Sequence, residues 1–397
     1  MKSSIRLFRI AGIDIGVHFS WILILIFFTT TLALGFFPAA SPEETTGTYW
    51  AAGFLAALLL FACVLAHELA HSLVAQARGI PVHSITLFIF GGVSNLEQEA
   101  EKPGVEFLMA IVGPGASLLL AIVFWILFQA MQGGNLFSDF FRFGGWLPQS
   151  SIIGAGFFYL ALINISLAAF NLIPGFPLDG GRVLRSIVWG ITGNLVRATN
   201  IATAIGRLFG WGLIAIGVLN TMGISIWIFG ASVIGGIWIA FIGWFLSSAA
   251  ESSRAEVTMK ERLAGVKVKD AMVQYQDTIT PQTTVAELVQ GVFSQRFRRA
   301  VPVCQDDRTL GIVTISDIKG LPQEKWAYTP VEQIMTRGPL YSVTPDDDLN
   351  TALKLIAQHD LNQVLVMESG RCSGLLTRAE IIHYMQLSQE LKVKSKA

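Results

Sequence analysis

The chain has 397 residues, no formal net charge, 52% hydrophobic residues and only 14% charged residues. Soluble domains carry roughly 25% charged residues, so a wholly soluble globular protein is excluded, and the balanced charge leaves no basic footprint for nucleic acid. Its three cysteines, Cys63, Cys304 and Cys372, are scattered; they form neither a disulfide framework nor a ligand cluster and read as buried thiols.

The charges are unevenly placed. Roughly 20 lie before position 251 and roughly 36 in the shorter remainder, which separates a membrane half, 1–250, from a soluble half. Lys2, Arg6 and Arg9 precede an apolar run without a convincing cleavage site, so that run reads as a span and not as a removable leader. Six stretches have the roughly 17 to 25 apolar residues needed to cross a bilayer: 18–37, 50–75, 105–131, 151–173, 204–222 and 224–246. The last two form a hairpin about a tight turn near Gly223. Basic residues set the orientation: with the N-terminus cytoplasmic, Lys2, Arg6, Arg9, Arg78, Lys102, Arg182, Arg185, Arg197, Arg207 and Arg254 lie inside and Arg142 outside. The soluble half is then cytoplasmic too.

The second span ends in His67-Glu68-Leu69-Ala70-His71. Positions i and i+4 share a helix face, so His67 and His71 can aim ring nitrogens at one ion, with Glu68 a step around the helix to take a proton from metal-bound water. Packed histidines are the alternative, but a charged group at mid-membrane costs about 2.5 kcal/mol or more unless paired, metal-bound or wetted. From Val82 to Phe90 the sequence alternates, is rich in β-branched and aromatic residues, and stops at Gly91-Gly92, which predicts a membrane-associated strand or hairpin. Glu97, Glu99, Glu101 and Glu106 then read as a solvated acidic loop. His18 and His83 read as packed or interfacial histidines, and Gly133 to Gln149, with its aromatic residues, as an interfacial segment.

A catalytic zinc usually needs three protein ligands and an open position. Asn171-Leu172-Ile173-Pro174-Gly175-Phe176-Pro177-Leu178-Asp179-Gly180-Gly181 closes the fourth span and breaks its helix. Irregular backbone at this depth is tolerated only beside protein or a wet cavity, which turns Asp179 inward as a third ligand. Alternatively, Asp179 caps the helix that follows from Gly180.

Positions 251–263 form a charged helical connector. Beyond it the sequence repeats: Val268 to Met272 recurs as Val331 to Met335, Val301-Pro302-Val303 as Val364-Leu365-Val366, and Gly311 to Thr314 as Gly374 to Thr377. Two copies of one α/β unit are expected, at 264–325 and 326–390, before a frayed tail at 391–397.

His67-Glu68-x-x-His71 in one span, with Asn171-x-x-Pro174 and Asp179-Gly180 in a later one, resembles the site-2 protease family of intramembrane zinc metalloproteases. The resemblance covers Gly12 to Gly181. It implies zinc on His67, His71 and Asp179, Glu68 as catalytic base and Asn171 as a transition-state donor. It also implies a transmembrane protein substrate that adds as an edge strand at Phe90-Gly91-Gly92, in a multi-pass bacterial-type cell membrane protein. Gly113-Pro114-Gly115 resembles a third-span packing motif, with Ser117 where asparagine is usual. No inserted PDZ domain is evident. The repeats resemble tandem CBS domains, whose ligand pattern places an adenine nucleotide at Thr314 and Asp317 and at Thr377 and Glu380, glutamate replacing the usual aspartate. A CBS pair that only dimerises or packs on the membrane half is the structural alternative. The rival function is a CBS-regulated channel or transporter, with Glu68, His71 and Asp179 lining an ion path.

Overall fold

A helix satisfies its backbone polar groups internally, so apolar runs destined for lipid fold as helices, and this chain follows that rule. The computed structural model describes residues 4–89, 91–96, 100–132, 150–224, 233–274, 279–293, 300–305 and 308–390. Phe90, Glu97, Glu99, the aromatic segment 133–149 and the tail 391–397, all addressed from the sequence, lie outside the described residues. The chain divides into two compact units, Met1–Ala255 and Glu256–Ala397.

Among the described residues, six helices are long and apolar enough to cross a membrane: α1 (Ser20–Ala40), α2 (Thr46–Ala77), α3 (Pro103–Gln132), α4 (Ile152–Asn171), α6 (Leu195–Thr221) and α7 (Val233–Leu263). Each overlaps one of the six expected spans; the start of the last and its expected hairpin link, 225–232, lie outside the described residues. The protein is thus a multi-pass membrane protein, and apolar side chains such as Leu119 and Ile234, 63% and 81% exposed, mark lipid-facing surfaces. Polar residues fix where helices begin: Thr45, Ser151 and Asn194 each accept a hydrogen bond from an N–H in the first turn of α2, α4 and α6. The fifth span starts at Leu195, earlier than 204, and before it lies a short amphipathic helix, α5 (Asp179–Thr192).

A four-stranded sheet accompanies the helices, with strands β1 (Ser4–Ile10), β2 (Ile13–His18), β3 (Val82–Phe88) and β4 (Gly91–Leu96) in that order. The expected hairpin is β3 and β4. The hairpin of β1 and β2 is an addition, closed by Ala11 and Gly12 with φ +49° and +82°, the two positive values a tight two-residue turn requires. β2 pairs in parallel with β3. Ile13, Ile15, Val82 and Ile85 pack with Ala75 of α2 and Met109 of α3, so the sheet covers the end of α2 that carries the histidines.

Glu106 corrects the acidic-loop expectation. Glu101 is exposed, but Glu106 lies inside the first turns of α3, 1% exposed, and accepts hydrogen bonds from Nε (2.7 Å) and Nη2 of Arg185 on α5. The Arg185 guanidinium also sits 4.9 Å from the centre of the Phe176 ring. The helical periodicity that buries position 106 depends on where α3 begins, which the charge run obscures.

In the second unit, the hairpins β5 (Ala300–Gln305) with β6 (Arg308–Thr314) and β7 (Gln363–Glu368) with β8 (Arg371–Thr377) are the two copies of one unit. The copies exchange their opening segments. Leu263, Val266 and Val268 are buried with Val364, Val366 and Leu376 of the second repeat, whereas Val331 and Met335 are buried with Val301, Val303 and Val313 of the first. Val273–Gln274 pairs with Leu375 and Gly374, and Thr336 bridges Ile312. None of the three cysteines is in a disulfide: Cys63 is buried, Cys304 and Cys372 are half-buried, and burial pushes the Cys372 thiol up to about 11.

Breaking a buried ion pair by removing one partner costs about 3–5 kcal/mol, because the other charge stays buried. Glu106→Ala is therefore expected to destabilise the protein by about 3 kcal/mol, and Glu106→Gln with Arg185→Met by much less; thermal unfolding in detergent compares them.

Candidate metal centre

α2 carries His67 and His71 one turn apart, both buried, with their rings 4.9 Å apart and nearly perpendicular. After α4 the chain turns through Leu172 to Leu178, where bonds such as Gly175 N–H to Ile173 O and Phe176 N–H to Ala202 O replace the helical ladder. Pro174 and Pro177 enforce that break. α5 then begins at Asp179. The residue at the N-cap position is Leu178, and no side chain caps the helix, so the Asp179 carboxylate is directed elsewhere. Its Oδ2 lies 3.1 Å from Nε2 of His67 and 3.1 Å from Nε2 of His71, and the two Nε2 atoms are 3.2 Å apart. Among the described residues this trio is the one group of histidine, cysteine and acidic side chains placed to hold a metal ion.

The surroundings fix the lone pairs. His71 Nδ1 donates to the carbonyl of Met109 (2.5 Å), an acceptor only, which leaves Nε2 of the neutral ring unprotonated. His67 Nδ1 faces the buried Ser117 hydroxyl at 2.9 Å, which can accept in the same way. Three acceptor atoms therefore face one point.

Glycines clear the space. A methyl at Gly113 would overlap Nε2 of His71 and lie 2.8 Å from Nε2 of His67; one at Gly92 would collide with the Glu68 side chain, whose Cδ is 3.0 Å away. Gly113 and Ser117 thus serve the centre itself, beyond the packing role expected for that motif. The closely spaced small residues of the third span were the available signal.

Glu68 opens into a cavity of about 140 Å³ that Asp179, His71 and Arg182 also line, together with Ser72 and Ser94. The Ser94 hydroxyl donates to Glu68 Oε2 (3.2 Å) and is 3.1 Å from that of Ser72. Ser94 belongs to β4, an end strand of the sheet among the described residues, so Glu68 and that strand are neighbours. Asn171 is placed differently: its Nδ2 donates to the carbonyl of Leu167 on its own helix (3.0 Å), and it does not line this cavity. His18 bonds Ser20 and His83 is exposed on β3; neither joins the trio.

A protein from Synechocystis named as a zinc metalloprotease is 38% identical over 98% of this chain and 97% of its own length. The pattern of peptidase family M50 matches residues 55–213. The chain belongs to peptidase family M50, the site-2 proteases. Another relative, the zinc metalloprotease of Methanocaldococcus jannaschii, is 28% identical over 99% of this chain and its whole length. A solved site-2 protease from the same organism is 30% identical, covering 63% of this chain and 95% of that one with a TM-score of 0.41. The CBS domain pattern matches residues 268–323 and 331–387.

The donor set fits the zinc this family implies. Zinc takes histidine nitrogen and carboxylate oxygen at roughly 2.0–2.1 Å in a tetrahedron, whose edges are then about 3.3 Å. The observed triangle has edges of 3.1, 3.1 and 3.2 Å. Three protein ligands leave one corner open, which is the catalytic pattern.

In the CBS pair, each candidate ligand residue is engaged at a helix start. Asp317 accepts from the Thr314 N–H (2.7 Å) and hydroxyl (2.8 Å), and Glu380 accepts from the Thr377 N–H (3.0 Å) and hydroxyl. The longer glutamate side chain keeps the same cap in the second repeat.

Gly113→Ala is expected to remove bound zinc while leaving helix content unchanged; metal analysis by mass spectrometry, alongside circular dichroism, measures both.

Proposed function

We propose that this site-2 protease family metalloendopeptidase hydrolyses peptide bonds in or near transmembrane segments of membrane proteins. The supporting observation is the position of Glu68: one step from the ligand triangle, open to a cavity, and beside β4, an end strand of the sheet among the described residues. His67, His71 and Asp179 would hold the zinc, which would supply a water of lowered pKa and polarisation of the scissile carbonyl.

The chain's own groups do the rest. A substrate segment pairs its backbone with the edge of β4, which brings a carbonyl beside Glu68. Glu68 takes the proton of the attacking water and delivers it to the leaving nitrogen. Ser94 holds the carboxylate in place. Asn171 gives one amide hydrogen to the Leu167 carbonyl, and the second N–H of the same amide is the one that donates to the substrate oxygen. A transmembrane helix has every backbone bond satisfied internally, so it must unwind before it can pair with β4. The N-terminus, the CBS pair and the metal centre lie on the cytoplasmic side in this reading, which the bias of basic residues supports. An adenine nucleotide at Thr314 and Asp317, with Thr377 and Glu380 as the second site, regulates access, and the CBS pair provides a homodimer contact.

Glu68→Gln is expected to abolish cleavage and keep one zinc per chain, with uncleaved membrane proteins accumulating in cells; ion flux without any cleaved product would support a transporter instead. Replacing helix-weakening residues near the scissile bond of a reconstituted substrate with leucine should slow cleavage at least tenfold, and an unchanged rate counts against unwinding. Calorimetry with AMP and ATP on the full-length protein should show binding that Asp317→Ala removes; no heat with either ends the nucleotide proposal.

A further inference from the structure

α5 carries two arginines with different surroundings. Arg185 is held by Glu106 and the Phe176 ring. Arg182, three residues after Asp179 and therefore on the same helix face, is half-buried and lines the cavity with Glu68 and Asp179. Among the described residues its side chain has no ion-pair or hydrogen-bond partner. A guanidinium inside a small cavity costs desolvation unless something completes its hydrogen bonds, and the two carboxylates there are already engaged. Asp179 faces both imidazoles, and Glu68 accepts from Ser94.

Charge bookkeeping points the same way. A divalent ion, Asp179 and Glu68 together sum to zero, so Arg182 leaves the loaded site one positive charge in excess. Peptide hydrolysis develops one negative charge, on the oxygen of the scissile carbonyl. Asn171, the donor suggested by family resemblance, is turned toward Leu167 and away from this cavity.

We propose that Arg182 is a catalytic residue whose guanidinium donates to the scissile carbonyl oxygen as that oxygen becomes anionic. This rests on the metalloprotease reading above. In the step it assists, the water oxygen bonds to the carbonyl carbon, the carbonyl π pair moves to the oxygen, and the water proton passes to Glu68. The C–N bond then breaks, its electron pair stays on nitrogen, and nitrogen takes the proton from Glu68. Arg182 exchanges no proton and nothing is oxidised or reduced.

The test uses full-length protein in detergent, an apolar peptide carrying a phosphinate in place of the scissile amide, and the matched amide peptide. Arg182→Ala should keep one zinc per chain and bind the amide peptide, measured on a Glu68→Gln background, as tightly as the parent does. Its affinity for the phosphinate should fall about 10²-fold, and kcat for the amide peptide about 10² to 10³-fold with KM unchanged. Arg182→Lys should recover part of kcat, and added guanidinium should rescue Arg182→Ala. Should Arg182→Ala fail to accumulate, Arg182→Gln, which keeps a polar stem without the charge, carries the same comparison. Undiminished phosphinate affinity, loss of zinc, or a loss confined to KM would each overturn the proposal. A native protein that binds neither peptide and cleaves nothing would overturn the metalloprotease reading beneath it.

Discussion

Three lone pairs aimed at one point, from His67, His71 and Asp179, repel one another until a cation sits among them. Holding them there is the constraint that organises the membrane half. The α2 helix supplies two by its own pitch. The third arrives from 112 residues away in sequence and needs an interrupted helix, a tight turn and a new helix that starts at the ligand itself. Each supporting contact can be read as a response. The Met109 carbonyl fixes the tautomer of His71, Ser117 orients His67, and Gly113 keeps a side chain out of the space the ion needs. Such outer contacts set ligand direction and basicity as much as the ligands do.

The same constraint explains the buried charge at Glu106 and Arg185. α5 is short and amphipathic. A hydrogen-bonded ion pair to α3 helps fix its position, at the cost of burying two charges. Arg182 is then held toward the cavity by the helix that delivers Asp179. On the other side, the sheet brings β4 against Glu68, so this carboxylate and the end strand of the described sheet share one wall.

How much of this was legible in the sequence follows from the range of each signal. His67, Glu68 and His71 are a local pattern, and the helix-breaking prolines mark Asp179 without any three-dimensional knowledge. The six spans follow from length and apolarity alone. Ser117 and Gly113 were visible only as small residues, since their meaning lies in what approaches them from α2. Glu106 looked like one more member of an acidic run because its partner lies 79 positions away. The β1 and β2 hairpin was hidden by its few basic residues, although the alternation in Ile13-Asp14-Ile15-Gly16-Val17 is a strand signal. Asn171 was legible only through resemblance, since nothing local marks it, and its amide here is bonded to its own helix.

The repeats in the second unit were plain from their recurring anchors, but not that each opening segment completes the neighbouring core. That exchange makes the duplicated modules inseparable. A premature stop between positions 320 and 330 would strip Val331 and Met335 from one hydrophobic cluster and orphan Val266 and Val268 of the other, so this half of the chain survives or is degraded as a single cooperative piece, whatever its ancestry as two.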